Sequence, residues 1–121
     1  AAVARTAGND KATLAIALNY GARAEMVRAT QALAARVAAG EITVEAIDEA
    51  AIDAQLYTAD LPPLDLIIRT SGEHRLSNFL LWQAAYAEMY FTDTLWPDFD
   101  GKELARALAD FAQRDRRFGG L

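Results

Sequence analysis

Apolar residues along this chain form short runs and spaced stripes, and the two patterns predict different elements. Apolar runs over residues 12–18 and 64–68, each bounded by polar or turn residues, predict strands that are buried on both faces. A third short run over residues 89–92 predicts another strand. The second strand ends on Arg69, and the Asp-Leu-Pro-Pro stretch at 60–63 forces an extended entry into it.

Stripes at spacings of three and four residues predict the helices. The first helix ends at Gly40, which is placed as a C′ glycine. Its core-facing stripe consists of Met26, Thr30, Leu33 and Val37. Its opposite face is charged and consists of Arg23, Glu25, Arg28 and Arg36. The residues before it predict an Ala-rich helix end that runs into a turn at 8–10, ahead of the first strand.

Capping signals place three further helices. Thr43 is expected to cap a helical stretch through Ala51, and Ser77 or Asn78 to cap a helix that runs through Glu88. Asp100 and Glu103 form a D-x-x-E start signal for the last helix. Its core-facing stripe consists of Leu104, Ala107, Leu108 and Phe111. A basic stretch at 114–117 ends this helix.

The order strand, helix, strand, helix, strand predicts an α/β fold with a mostly parallel sheet flanked by helices. A length of 121 residues, 53% of them hydrophobic, corresponds to one domain. A net charge of −5 disfavours nucleic-acid binding, which needs a basic excess. The absence of cysteine excludes a disulfide framework, and no apolar run of bilayer length or secretory signal is seen.

The loop at 69–78 is the best candidate for chemistry. It joins the carboxyl end of a predicted buried strand to the start of a predicted helix, which is where ligands bind in open parallel sheets. Arg69, Arg75, hydroxyl groups and free helix amides would converge there, and this combination suits a phosphate or diphosphate. The alternative is that Arg69 and Arg75 pair on the surface with Glu73 and Asp65.

Two other side chains of this region have competing interpretations. His74 is the only histidine, so any imidazole chemistry would have to use it, although a lone loop histidine is more often an ordinary surface residue. Glu88 lies eleven positions after Ser77, so on a helix the two would share a face about 16 Å apart. Glu88 would then serve a different site, for instance across a dimer interface, or be an exposed carboxylate.

An aromatic-rich stretch follows, and either core packing or a subunit interface accounts for it. Its members are Trp82, Tyr86, Tyr90, Phe91 and Trp96. The basic C-terminal residues could bind an anion, although favourable closure of a helix against its dipole is the commoner role.

Several blocks of the sequence carry a family resemblance. They are Asn19-Tyr20-Gly21-Ala22-Arg23, residues 65–83, Ala85-Tyr86-Ala87-Glu88, Tyr90-Phe91 and Leu95-Trp96-Pro97-Asp98-Phe99. Through them nearly the whole chain closely resembles the C-terminal half of the cis-prenyltransferases, or isoprenyl transferases, and within that family the bacterial undecaprenyl diphosphate synthases.

The resemblance implies a homodimeric transferase that condenses isopentenyl diphosphate onto an allylic diphosphate with cis geometry and uses Mg²⁺. It implies that Arg69, Arg75 and Ser77 bind the isopentenyl diphosphate. Glu88, with His74 as a further candidate ligand, would reach the Mg²⁺ of the partner subunit's site. Arg117-Phe118-Gly119 matches the R-x-G tail signature, which implies that Arg117 and Gly119 bind substrate across the dimer.

Two departures from the family pattern shape the interpretation. Ser71 stands where many members have glycine, and the Asp-Gly-Asn-Gly-Arg segment that binds allylic diphosphate and metal does not occur. We therefore interpret residues 1–121 as the C-terminal portion of a single α/β isoprenyl transferase domain whose N-terminal catalytic half is absent. No catalytic residue is expected in this half, and the unit alone is expected to be inactive.

Two alternatives remain open at this point. One is a non-catalytic scaffold subunit that keeps the dimer face and donates residues 117–119 to an active partner. The other is an unrelated phosphate-handling hydrolase that uses His74 and Glu73 as acid and base. The resemblance favours a cytoplasmic location, with peripheral membrane contact left open because a polyprenyl product has to reach a bilayer.

Overall fold

A computed structural model describes residues 2–115, and its regular elements alternate helices with two short strands. The α-helices are α1 (Ala2–Thr6), α2 (Ala22–Ala38), α3 (Glu49–Asp53) and α4 (Gly101–Ala112). The strands are β1 (Leu66–Arg69) and β2 (Glu88–Phe91). Short 3-10 turns occupy Val44–Ala46, Gln83–Tyr86 and Trp96–Asp98.

The two strands pair in parallel, which confirms the predicted α/β class. Leu66 is in register with Glu88, and Arg69 with Phe91. Beyond the strand ends the pairing continues into the loops, because the Ser71 amide donates to the Thr94 carbonyl at 2.9 Å and the Gly72 amide to the Thr92 carbonyl at 3.0 Å. Arg69 and the loop behind it are therefore held beside the residues that follow β2.

The long helix α2 ends as the sequence predicts. The Gly40 amide donates to the Val37 carbonyl, and the Glu41 amide to the Arg36 carbonyl. This pair of bonds is a Schellman motif, and it requires the left-handed φ of +71° that Gly40 adopts. The predicted C′ position of Gly40 is confirmed.

The predicted faces of α2 are only partly right. Leu33 is buried, whereas Met26 and Val37 are half-buried and Thr30 is exposed. Glu25, assigned to the charged outer face, is 1% exposed. The correction has a physical reason: buried polar groups are tolerated where they are hydrogen-bonded, and the spacing of apolar residues carries no information about such partners.

Helix starts follow the predicted capping chemistry at one end of the chain and depart from it in the middle. Asp100 Oδ1 accepts the Lys102 and Glu103 amides at 2.8 and 3.1 Å, which confirms the predicted start of α4. Thr43 makes no capping bond, and the predicted helix through Ala51 is broken at an extended Ile47. α3 begins instead at Asp48, whose side chain accepts the Ala51 amide.

The predicted strand over residues 12–18 is wrong. These residues form no regular secondary structure, and the large side chains among them are exposed, with Leu14 at 85%, Ile16 at 72% and Leu18 at 83%. A strand needs a neighbour to satisfy its amides and carbonyls. Among residues 2–115, the only strands are β1 and β2, and they pair with each other.

The predicted helix from Ser77 to Glu88 is also wrong. Ser77, Asn78 and Leu80 have φ values of +51°, +63° and +47°, which an α-helix does not allow. Only the single 3-10 turn Gln83–Tyr86 forms, and Glu88 already belongs to β2. The earlier placement of Ser77 and Glu88 on one helix face therefore does not apply.

The core of the described residues is small and lies where α2, β1 and α4 face the interior. Its buried apolar members are Ala22, Ala29, Leu33, Leu56, Ile67 and Ala107. The predicted stripe of α4 is buried at Ala107, while Leu104 and Leu108 remain 43% and 50% exposed. None of the helices found within residues 2–115 has the length and apolar character needed to cross a bilayer.

Candidate functional site

The carboxyl end of β1 opens onto a hollow of about 250 Å³. Two arginines line it, Arg69 from the end of the strand and Arg75 from the loop. The apolar part of the lining consists of Ile67, Ile68, Leu76, Phe79 and Met89. The hollow thus combines two cationic groups with hydrocarbon walls, a lining that suits an anionic head attached to an apolar group.

Arg69 carries the clearest sign of an unmet interaction in this hollow. Its Nε atom is buried from solvent and has no hydrogen-bond partner among the described residues. A buried guanidinium donor without an acceptor is costly, because it has lost its water without gaining a replacement. An anion bound in the hollow would lie beside this guanidinium, because the Arg69 side chain is part of the lining.

Arg75 lies at the solvent-facing side of the hollow and forms an ion pair with Glu73. Its side chain is 65% exposed. The surface pairing considered as an alternative thus exists for Arg75. An exposed ion pair contributes little to stability, so Glu73 is an exchangeable partner that a diphosphate could replace.

Ser77 lies two residues beyond Arg75 and is exposed. It is absent from the lining of the hollow, whereas Phe79 contributes a ring to it. The intervening Asn78 is bonded to the start of α2: its carbonyl accepts the Ala22 amide, and its Oδ1 accepts the Arg23 amide, each at 2.9 Å. Sequence reasoning missed this contact, because the only signal at Asn78 was a capping preference, and it was assigned to a helix that does not form.

Glu88 and His74, the two candidate metal ligands, lie at opposite ends of β2. Glu88 begins the strand and pairs with Arg114 at 2.9 Å. His74 stacks on Phe91, the last residue of the strand, with ring centroids 4.7 Å apart. Three residues of strand separate the two positions, which is about 10 Å of backbone at ~3.3 Å per residue.

Within residues 2–115, Glu88 and His74 therefore do not come together as a Mg²⁺ site. Mg²⁺ prefers octahedral oxygen ligands, commonly one or two carboxylates with phosphates and waters. Glu88 supplies a suitable oxygen, but Arg114 engages it. In the part of the chain that the structure describes, no three metal-ligating side chains are grouped closely enough to hold an ion.

Arg114 is a residue that sequence reasoning assigned only to a basic helix end. Its guanidinium bonds to the Glu88 carboxylate, the Met89 carbonyl and the Asp110 carboxylate. The hydrogen bond that Arg114 donates to Glu88, followed by those it donates to Asp110, raises the pKa of Arg114 above its ordinary value. Arg114 thereby ties the C-terminal end of α4 to the start of β2.

A buried polar cluster lies on the other side of Asn78, where the start of α2 meets two loops. Glu25 accepts bonds from the Tyr20 hydroxyl, from the Tyr57 amide at 2.7 Å and from Gln83 Nε2 at 3.3 Å. Burial and the neighbouring Glu25 carboxylate raise the pKa of Tyr20 well above its ordinary value near 10. The cluster joins residues that are far apart in sequence and fixes the loops beside the hollow.

The aromatic stretch divides between contacts and exposed surface. Trp82 Nε1 donates to Asp53 at 2.6 Å, and Trp96 stacks on Phe99 with centroids 6.0 Å apart. Tyr86 and Trp96 are nevertheless 66% and 71% exposed. Arg117 and Gly119, the remaining candidate site residues, lie outside the described residues.

Comparison with known proteins agrees with this assembly of features. Residues 1–119 match the prenyltransferase family model described as "Putative undecaprenyl diphosphate synthase". An isoprenyl transferase from Zymomonas mobilis is 57% identical over 120 residues, which cover 99% of this chain and 48% of the relative. The (2E,6E)-farnesyl-diphosphate-specific ditrans,polycis-undecaprenyl-diphosphate synthase of Escherichia coli K12 is 54% identical over 97% of this chain and 46% of its own length.

A solved structure shares the fold. Lavandulyl diphosphate synthase from Lavandula x intermedia, solved in complex with dimethylallyl diphosphate, superposes with a TM-score of 0.80 and 43% identity, over 84% of this chain and 44% of that one. The chain therefore spans about half the length of the relatives that it matches. On the family match and these identities, the chain belongs to the undecaprenyl diphosphate synthase family of prenyltransferases.

Proposed function

We propose that this chain contributes the isopentenyl diphosphate site of a cis-prenyltransferase that builds an undecaprenyl-diphosphate-like product on an allylic diphosphate. The observation that carries the proposal is the Arg69 side chain, which lines a hollow that Arg75 shares and whose buried Nε lacks an acceptor among residues 2–115. The family membership supports the class of reaction. The mixed lining of the hollow supports a small ligand with an anionic head and a hydrocarbon body.

The chemistry of the reaction explains why arginines suit this role. A diphosphate carries several negative oxygens, and a guanidinium presents paired donors that match them. The five-carbon alkene has to be held so that its terminal carbon faces the electrophile. Fixed contacts at the diphosphate end and apolar walls around the alkene restrict its orientation. The bimolecular reaction with the allylic diphosphate then becomes an effectively unimolecular step between two oriented groups.

The expected Mg²⁺ and homodimer belong to this proposal as well. Glu88 and His74 do not form a metal site together among residues 2–115, and we propose that they act at a site that the partner subunit completes. Residues 117 and 119 are proposed to reach the partner's substrate in the same way. The surface includes large exposed apolar side chains at Tyr86 and Trp96, which supports an interface with a second copy.

Calorimetric titration of the protein with isopentenyl diphosphate tests the proposal. We expect saturable binding that falls at least about tenfold in Arg69→Ala and in Arg75→Ala, because each removes a charge-assisted contact worth about 1.5–3 kcal/mol. Arg36→Ala is the matched control, since Arg36 pairs with Glu41 near the far end of α2. Absence of binding by the parent protein, or equal affinity in all three variants, would overturn the proposal.

A further inference from the structure

The start of α2 is capped by a residue of the loop that follows β1. The helix's own N-cap residue is Gly21, which has no side chain to offer. Asn78 supplies the acceptors instead: its backbone carbonyl accepts the Ala22 amide and its side-chain Oδ1 accepts the Arg23 amide, each at 2.9 Å. One residue, 55 positions beyond Arg23, therefore satisfies two of the amides that a helix start leaves free.

The contact depends on close approach of the two segments. A Cβ atom on Gly21 would lie 2.9 Å from Asn78 Nδ2, which is closer than real Cβ atoms approach. The backbone φ of Gly21 is −152°, an extended value open to any residue. The requirement for glycine at position 21 is therefore one of space, and Asn78 is what occupies that space.

The segment around Asn78 is held in a conformation that it would not adopt alone. Ser77 and Leu80 have left-handed φ values of +51° and +47°, which cost L-residues free energy, while Asn78 at +63° is a residue type that tolerates this region. Such backbone persists where surrounding contacts fix it. Here the two hydrogen bonds of Asn78 to α2 provide that fixation.

We infer that Asn78 is a positioning residue for the diphosphate site, because its clamp on the α2 start sets where the adjoining loop residues lie. This inference rests on the proposed function. Asn78 is joined directly to Phe79, which lines the hollow and packs edge-on against Tyr20 with centroids 5.7 Å apart. On its other side the chain passes through Ser77 to Arg75, which lines the hollow as well. A shift of Asn78 would therefore move the walls and one of the cationic groups together.

Two substitutions at position 78 separate the effect of the Oδ1 hydrogen bond to the Arg23 amide from the effect of the left-handed backbone conformation. Asn78→Asp keeps an acceptor at Oδ1 and tolerates the left-handed conformation, and its charge is favourable beside a helix start. Asn78→Gly keeps the left-handed conformation but removes the side-chain acceptor Oδ1, while the backbone carbonyl that accepts the Ala22 amide remains. Gly21→Ala disturbs the same contact from the α2 side, because the added Cβ would lie too close to Asn78 Nδ2. Far-ultraviolet circular dichroism and thermal unfolding establish that each variant is folded.

The readouts are hydrogen exchange and calorimetric binding of isopentenyl diphosphate and of inorganic diphosphate. In Asn78→Gly and Gly21→Ala we expect faster exchange of the Arg23 amide and affinity for both ligands lowered about tenfold, since small misplacements of binding groups have large effects. Asn78→Asp should stay within about twofold of the parent, an estimate that follows from the retained acceptor. A merely structural cap would change exchange and melting temperature without changing affinity.

The inference is overturned if Asn78→Gly exchanges faster yet binds both ligands like the parent, or if neither exchange nor affinity changes. It is also overturned if Asn78→Asp loses as much affinity as Asn78→Gly. If the parent protein itself binds neither ligand, the proposed function fails and the positioning role falls with it. The exchange of the Arg23 amide then still reports whether the clamp exists, so the two failures are distinguishable.

Discussion

Ionisable side chains in the described part of this molecule act largely in specific pairs. Arg75 pairs with Glu73 at the rim of the hollow, and Arg114 with Glu88 at the start of β2. The first pair is exposed and the second is half-buried, so the first can exchange its partner more readily. The Tyr20–Glu25 contact differs from both because it is a hydrogen bond from a hydroxyl to a buried carboxylate and not an ion pair.

The Tyr20–Glu25 contact predicts a pH dependence. The pKa of Tyr20 in the folded protein is raised above its unfolded value near 10, so its contribution to stability is complete below pH 10. Above pH 10 the unfolded chain loses this proton first, and the contribution declines as pH rises toward the folded pKa. By urea denaturation, Tyr20→Phe should be less stable than the parent at pH 8 by about 1 kcal/mol, with the gap narrowing by roughly 1 kcal/mol at pH 11.

The matched control for this measurement is Tyr57→Phe. Tyr57 is 64% exposed, and its hydroxyl makes no hydrogen bond to another described residue, so its removal should leave the pH dependence unchanged. A stability gap between Tyr20→Phe and the parent that is constant from pH 8 to pH 11 would contradict the argument.

The Arg75–Glu73 pair predicts an increase in affinity. If a diphosphate displaces Glu73 from Arg75, then Glu73→Gln removes the competing carboxylate and a nearby negative charge. Affinity for isopentenyl diphosphate should rise about two- to fivefold, which corresponds to a surface ion pair of at most about 1 kcal/mol. Titration calorimetry measures it, with Glu41→Gln as the control because Glu41 forms the comparable exposed pair with Arg36. A weaker-binding Glu73→Gln protein would assign Glu73 a direct role in holding the ligand.

Single residues differ in how far the sequence predicts them. Arg69 and Arg75 line one hollow because Arg69 ends β1 and Arg75 lies in the loop after it, and the end of that strand is visible in the sequence as the end of an apolar run. Glu25, Asn78 and Arg114 were placed wrongly or left without a role. Each has at least one partner that lies 26 to 58 positions away in sequence, and no local pattern encodes such contacts.

Among the elements, α4 shows local chemistry that is sufficient to define a helix start. Asp100 caps it with two hydrogen bonds. Asp100→Ala should lower the free energy of unfolding by about 1 kcal/mol, the usual cost of losing an N-cap side chain. Thermal or urea unfolding measures this, with Asp98→Ala as the matched control: Asp98 is exposed and lies two residues earlier, outside the cap. Equal losses of unfolding free energy in the two variants would contradict the role of Asp100 as the N-cap of α4.

The elements that sequence reasoning misassigned are those whose state depends on distant partners. The apolar run at 12–18 has the composition of a buried strand, but its carbonyls and amides have no ladder to join within residues 2–115. The stretch from Ser77 has helical spacing, yet bonds from Asn78 to α2 hold it in left-handed conformations. β1, β2, α2 and α4 were predictable as elements because their own apolar patterns and end signals mark them, although the buried faces of α2 and α4 follow the predicted stripes only in part.

At the scale of the whole molecule, apolar side chains are distributed unevenly between core and surface. The buried apolar set is composed mainly of small or medium residues, while Trp96, Leu14 and Leu18 are more than two-thirds exposed. Exposed apolar surface of this kind marks contact regions. We expect light scattering after size-exclusion chromatography to give twice the mass of one chain, in line with the proposed homodimer; a monomer at all concentrations would contradict that expectation.

A crystal structure of the protein with isopentenyl diphosphate would show directly whether the hollow at the end of β1 binds that ligand. We expect diphosphate oxygens within hydrogen-bonding distance of the Arg69 and Arg75 guanidinium groups, with the five-carbon chain against Phe79 and Leu76. Density for the diphosphate at another place on the protein, or an empty hollow at saturating ligand, would contradict it.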